Sequence, residues 1–321
     1  MKFTLPLLLL TGVAFAAETP AKKAEPAKKA EPAKKAAKVY PKNPTPTQAD
    51  FRYGPHERNV LDFWQAKSDK PTPVLFYIHG GGWQGGDKKS LAVEPYLAKG
   101  ISVVSINYRY VSQSQDVEPP VKGPLSDAAL ALQTVRSKAG EWNLDKERIG
   151  ASGGSAGACS SLWLAFHPDM ADPKSDNPIA RESTRLWCAA VSGAQTTLDP
   201  QQMREWTPNS RYGAHAFLKN GTYKTFDDFI AAREKILPWI AEYSPYALVS
   251  SDDPPIYLTF RAPPALGKEE KDPTHTANFG VKLQEHCKAN GVPCELEYPG
   301  APDVTHKFTI DFLVAKLKET R

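Results

Sequence analysis

The sequence predicts an α/β protein whose central sheet is mostly parallel and carries helices on both faces. Three observations lead there. Strand and helix signals alternate from Ala49 onward, the order expected of a parallel sheet covered on both sides. The run Pro73–Ile78 is almost wholly apolar, as a strand buried on both faces requires. Residues 195–250 keep neither period and read as a helical insertion, a lid or cap, before the penultimate strand.

The elements follow in order. Val60–Phe63 and Pro73–Ile78 are strands. Ser90–Lys99 is a helix stopped by Gly100, and Ile101–Ile106 is a β-branched strand. Pro124 stands near the first turn of a helix running to Lys138, where its missing N–H costs nothing. Arg148–Ala151 is a short strand, Ala156–Phe166 a helix and Trp187–Val191 a strand. Within the insertion, aromatic residues such as Trp206, Tyr212, Phe226 and Trp239 are scattered among polar ones. Short helices are expected there at Phe226–Ile236 and Pro238–Tyr243. The insertion should lie over the C-terminal edge of the sheet, where open α/β folds bind ligands. Strand Ile256–Phe260, helix Thr276–Asn290, strand Cys294–Tyr298 and helix Lys307–Lys318 complete the set.

The N-terminal region reads differently. Residues 1–17 combine Lys2, an apolar run from Leu5 and Ala14-Phe15-Ala16. This predicts a secretory signal peptide cut after Ala16 or Ala17, and so a secreted or periplasmic protein. Ala21-Lys-Lys-Ala-Glu-Pro26 repeats at 27–32 and, varied, at 33–38. A proline in each of the first two repeats defeats any helix, so residues 18–48 are expected to form a disordered linker. The domain proper spans 49–321. Eight lysines against three glutamates give the first 38 residues a charge of +5, leaving −1 of the chain's +4 for the rest. The body therefore has no charge excess from which to build a nucleic-acid-binding face. No later stretch approaches the ~20 apolar residues of a membrane span, and no stable span is expected. Of four cysteines, Cys287 and Cys294 are placed for a local disulfide in an exported chain, while Cys159 and Cys188 read as buried thiols. No His/Cys/carboxylate spacing suits a metal, and neither metal nor cofactor is expected.

The most informative segment is Gly153-Gly154-Ser155-Ala156-Gly157, directly between a strand and a helix. A chain that turns from strand to helix within a few residues strains the serine backbone and lifts its hydroxyl clear of the sheet. Small residues on either side permit the close approach. Ser155 is the expected nucleophile; Ser152 lacks flanking glycines. A second motif, His79-Gly-Gly-Gly-Trp83, follows the buried strand ending at Ile78. Preorganised backbone N–H groups stabilise the negative oxygen of a tetrahedral intermediate, and glycines let the backbone approach a substrate. The N–H groups of Gly81, Gly82 and Ala156 are the expected oxyanion donors, with His79 orienting the loop.

These motifs, with Asn107-Tyr-Arg-Tyr110 and Ser244-Pro-Tyr246 ahead of Asp252-Asp-Pro-Pro255, resemble the α/β-hydrolase superfamily. The likeness is to its hormone-sensitive-lipase-like and feruloyl/acetyl-esterase-like branch and covers about residues 50–320. It implies the α/β-hydrolase fold and a serine hydrolase with the order Ser, acid, His along the chain. The family's histidine follows the last strand, which points to His306 as general base among the five histidines after Ser155. Its acid sits in a turn ahead of the preceding helix, which matches Asp272. Asp252, Asp253, Glu269, Glu270 and Asp303 are the other carboxylates available, and Asp252 and Asp253 suit the turn before Pro254. The loop Pro299–His306 is longer than the family's, and Lys307 stands where a glycine is common.

The resulting expectation is an exported carboxylesterase working through an acyl-enzyme on small-molecule or polysaccharide esters of acetyl or feruloyl type. A serine peptidase of the same fold and a non-catalytic binding protein are the alternatives.

Overall fold

The computed structural model describes residues 39–319, together with Met1 and Lys2. The expected signal peptide and repeat lie almost wholly outside the described residues. Tyr40 to the C-terminus forms one compact unit.

Eight strands make one sheet: β1 Gln48–Arg52, β2 Val60–Trp64, β3 Thr72–Ile78, β4 Ser102–Ile106, β5 Leu144–Gly154, β6 Cys188–Ser192, β7 Ile256–Thr259 and β8 Cys294–Glu297. Their order is β1-β2-β4-β3-β5-β6-β7-β8. The first two ladders are antiparallel and every later one is parallel. The helices are α1 Glu94–Leu97, α2 Lys122–Ser137, α3 Ala156–Phe166, α4 Pro200–Trp206, α5 Ala214–Phe217, α6 Phe226–Ala231, α7 Arg233–Tyr243, α8 Pro245–Leu248, α9 Asn278–Ala289 and α10 Thr309–Lys318.

Strand β5 is central. It lies between β3 and β6, with Phe76 opposite Ala151 and Ala151 opposite Ala189. Small residues on β5 let α3 settle onto the sheet, and every residue of α3 is buried. The expected alternation holds from β2 to α10, with differences of extent: β5 is longer than the expected Arg148–Ala151, and the helices expected at Phe226–Ile236 and Pro238–Tyr243 divide instead between Ala231 and Arg233. The helix expected at Ser90–Lys99 shrinks to α1, whose second residue is Pro95; proline suits a first turn and cannot continue a helix already begun. The expected linker also ends sooner than residue 48. Asn43 donates to the Leu91 carbonyl (2.7 Å) and accepts from the Val93 N–H (3.1 Å), while Trp64 Nε1 donates to Pro44 O (2.8 Å). Two ordered side chains thus tie residues 43 and 44 to the body before β1 begins.

Residues 195–250 form α4 to α8 between β6 and β7. Arg233 clamps Asp199 through two N–H groups at 2.8 and 2.7 Å, and Trp163 of α3 donates to Glu242 O (2.9 Å). Bidentate charge-assisted pairing of this kind fixes orientation as well as position. All four cysteines are free thiols, so the disulfide expected between Cys287 and Cys294 is not formed. A hydrogen bond donated by its S–H to Cys287, reinforced by burial, holds the Cys294 thiol well above its ordinary pKa.

Candidate active site

The elbow is strained as expected. Ser155 has φ 53° and ψ −121° and caps the N-terminus of α3. A non-glycine residue at positive φ persists only where its surroundings over-determine it. Here the Ser155 N–H is fixed by Ser192 O (3.0 Å) and its carbonyl accepts from Cys159 N (2.9 Å). Gly157 allows the reversal, since a Cβ there would lie 2.0 Å from the Ile78 carbonyl oxygen. Ser152 stays within β5, paired with Tyr77 and Ala190, and is no rival.

The Ser155 hydroxyl meets His275. His275 Nε2 lies 3.0 Å from Ser155 Oγ, and His275 Nδ1 lies 2.8 Å from Asp272 Oδ2. A carboxylate only accepts, so the proton sits on Nδ1 and the Nε2 lone pair faces the serine O–H. Asp272 also accepts from Thr274 N at 3.3 Å. Partial burial works against its charge. The hydrogen bond and charge of His275, with backbone N–H groups, outweigh that and hold the carboxyl below its usual range. Gln195 braces the loop by donating to the Thr274 and Gly193 carbonyls (2.5 and 3.2 Å).

His306 is elsewhere. Its Nδ1 donates to both carboxylate oxygens of Glu295 (3.0 and 2.9 Å), and its ring stands edge-on to Phe312. The physical reason is local. Glu295 on β8 captures the imidazole, and the long loop after β8 gives it room to fold back. The expected base is thus corrected: the structure sets His275, and not His306, between Ser155 and Asp272. The signal for His275 was available: in Asp272-Pro-Thr-His275 a tight turn brings acid and imidazole together from one loop. Three of the remaining carboxylates have other partners. Asp252 and Asp253 pair with Arg185 and Ser250 as turn residues, and Glu270 accepts from Thr276.

The glycine loop lies against the nucleophile. A Cβ at Gly80 would stand 3.6 Å from Ser155 Cβ. Gly81 has φ +111°, and a Cβ there would be 2.3 Å from Gly85 O, so no other residue fits. His79 holds the loop: its Nδ1–H donates to Gly80 O (2.8 Å), Tyr108 donates to His79 O (2.7 Å), and Tyr108 stacks on the imidazole. Trp83 Nε1 donates to Ser160 Oγ on α3 (2.9 Å), which binds the loop to the helix that carries Ala156.

His215, on α5 of the insertion, is buried beside this loop. Burial lowers its pKa from 6.5 to about 4, against the opposing effect of a backbone hydrogen bond to Gly82. The folded protein thus holds this ring neutral. Stability from it is complete above pH 6.5 and falls as the unfolded chain takes up the proton. Between about pH 6.5 and 4 this single group is expected to cost on the order of 3 kcal/mol. Denaturant titrations across that window should show His215→Gln with a flatter slope than the parent.

Among the described residues no group of three or more His, Cys, Asp or Glu side chains could hold a metal ion, and no helix is long and apolar enough to cross a membrane.

The family model described as BD-FAE matches residues 61–261. The chain is 33% identical over 147 residues to the probable carboxylic ester hydrolase LipM of Mycobacterium tuberculosis, covering 44% of this chain and 32% of LipM. It is 33% identical over 275 residues to the esterase LipQ of the same organism, covering 82% of this chain and 57% of LipQ. The chain thus spans a third to just over half of these relatives. A solved acetyl ester-xyloside bifunctional hydrolase from Caldicellulosiruptor lactoaceticus superposes with a TM-score of 0.57 at 26% identity, over 74% of this chain and 76% of that one.

Proposed function

The chain belongs to the BD-FAE family of α/β-hydrolases, and on that premise we propose that it is a carboxylic ester hydrolase acting through an acyl-enzyme on short-acyl esters of carbohydrates. One observation carries the reading: the relay from Asp272 through His275 to a strained, outward Ser155, at 2.8 and 3.0 Å.

The chemistry follows from those contacts. Ser155 Oγ attacks the ester carbonyl carbon while His275 Nε2 takes its proton. The carbonyl π electrons move to oxygen, whose charge this reading assigns to the N–H groups of Gly81, Gly82 and Ala156; each such donor contributes about 10²–10³-fold. The tetrahedral intermediate expels the alcohol, protonated by Nε2, and leaves the acyl group on Ser155. Water, giving its proton to Nε2, then releases the carboxylic acid and restores the serine. Asp272 holds the imidazole tautomer and balances the imidazolium.

The carbohydrate ester is supported by the acetyl ester-xyloside hydrolase among the structural relatives. Residues 1–17 support export, which would bring the enzyme to polymer outside the cell. The test is turnover of aryl acetate, acetylated xylan and aminoacyl anilides by the parent and Ser155→Ala. Acetate hydrolysis that falls about 10⁴-fold or more with the serine is expected. Equal turnover by both proteins, or anilide cleavage without ester cleavage, contradicts it.

A further inference from the structure

The sheet order separates the two sides of the bound ester. Ser155 ends β5, with β6 on one side and β3 on the other. His275 reaches it from the β6 side: a Cβ at Gly193, just past β6, would lie 3.4 Å from His275 Cδ2. The glycine loop reaches it from the β3 side. The leaving alcohol must take its proton from Nε2, so it departs toward β6. With the oxyanion turned to the loop N–H groups, the acyl substituent on the same carbon is left facing away from His275, past Gly82 toward the insertion.

That side is closed by the insertion. The space a Cβ at Gly82 would occupy is bounded by Tyr212 Oη at 3.7 Å and His215 Nε2 at 3.8 Å. Trp83 is fully buried, and its ring centroid lies 6.3 Å from Tyr212 and 6.1 Å from His215, which stand 4.9 Å from each other. Behind them Phe229 and Met203 pack against Gly213. Tyr212 Oη is buried with no hydrogen-bond partner. Leaving such a group unpaired is costly, so what this side chain contributes here is volume, and the His215 ring packs edge-on against it.

The geometry points to Tyr212 and His215 as an acyl-length filter that confines the enzyme to acyl groups of two or three carbons. The inference rests on the ester-hydrolase reading and deepens it by assigning the acyl limit to two residues of the insertion. Cores resist added methylenes because close-packed neighbours must leave their rotamers, and the same resistance meets a longer acyl chain here.

The test measures kcat/KM on 4-nitrophenyl acetate, butyrate and hexanoate, counting only turnover lost in Ser155→Ala. The parent should prefer acetate to hexanoate by about 100-fold. Tyr212→Ala and His215→Ala should each raise the hexanoate-to-acetate ratio about tenfold, whereas Tyr212→Phe, which keeps the ring, holds the parent ratio. If an alanine variant fails to fold, Tyr212→Leu and the parent profile still decide. A parent that cleaves hexanoate as readily as acetate, or a ratio unmoved in folded variants, overturns the filter alone. Absence of any Ser155-dependent turnover would instead remove the reading beneath it.

Discussion

His275→Ala is expected to lower kcat/KM on an aryl acetate by about 10⁴-fold, while His306→Ala changes it by less than about threefold. The contrast is large because, among the described residues, His275 is the imidazole hydrogen-bonded to the nucleophile. His275 Nε2 accepts from Ser155 Oγ at 3.0 Å; without it the hydroxyl must shed its proton to water, and the alkoxide is far too costly to form at neutral pH. His306 gives its Nδ1–H to Glu295 and faces Phe312. Its loss should appear in stability and leave the chemistry alone. Steady-state kinetics on both variants, with circular dichroism to show that each is folded, makes the comparison.

Asp272→Asn should lower kcat by about 10²–10³-fold with KM little changed. In a buried triad the same exchange costs about 10⁴, because an amide presents the wrong partner to Nδ1 and cannot balance the imidazolium. Here the Asp272 side chain is 62% exposed and that of His275 39%. Water can share in supporting the charged ring, and screening weakens the carboxylate's contribution. Asp272→Ala, which also removes the acceptor of the Thr274 N–H, should fall further than Asp272→Asn. Single-turnover acylation rates for the two variants check this order.

Much of this site is legible in the sequence because glycine is unforgiving. The elbow and the loop at 79–83 depend on backbone approaches that no side chain would permit, so their residues declare themselves by identity and spacing. Asp272 is reached through the family resemblance, which puts the acid in a turn before a helix. The histidine could not be found by the same route. The expectation placed it after the last strand, but position in the fold says nothing of what else competes for the ring, and Glu295 wins His306. A carboxylate three residues from an imidazole in a tight turn was the local clue. Strand β1 escaped notice for a different reason: four of its five residues are exposed, so burial left no alternating pattern. Asn43 likewise gives no sequence signal, since its contacts are with backbone 48 and 50 positions away.

The pairing of Ser155 with His275 is tested most directly by a fluorophosphonate probe, which bonds covalently only to an activated serine, read out by peptide mass mapping. Modification of the peptide that carries Ser155 should be rapid in the parent and in His306→Ala, and nearly abolished in His275→Ala. Rapid modification of His275→Ala together with loss in His306→Ala would contradict the account.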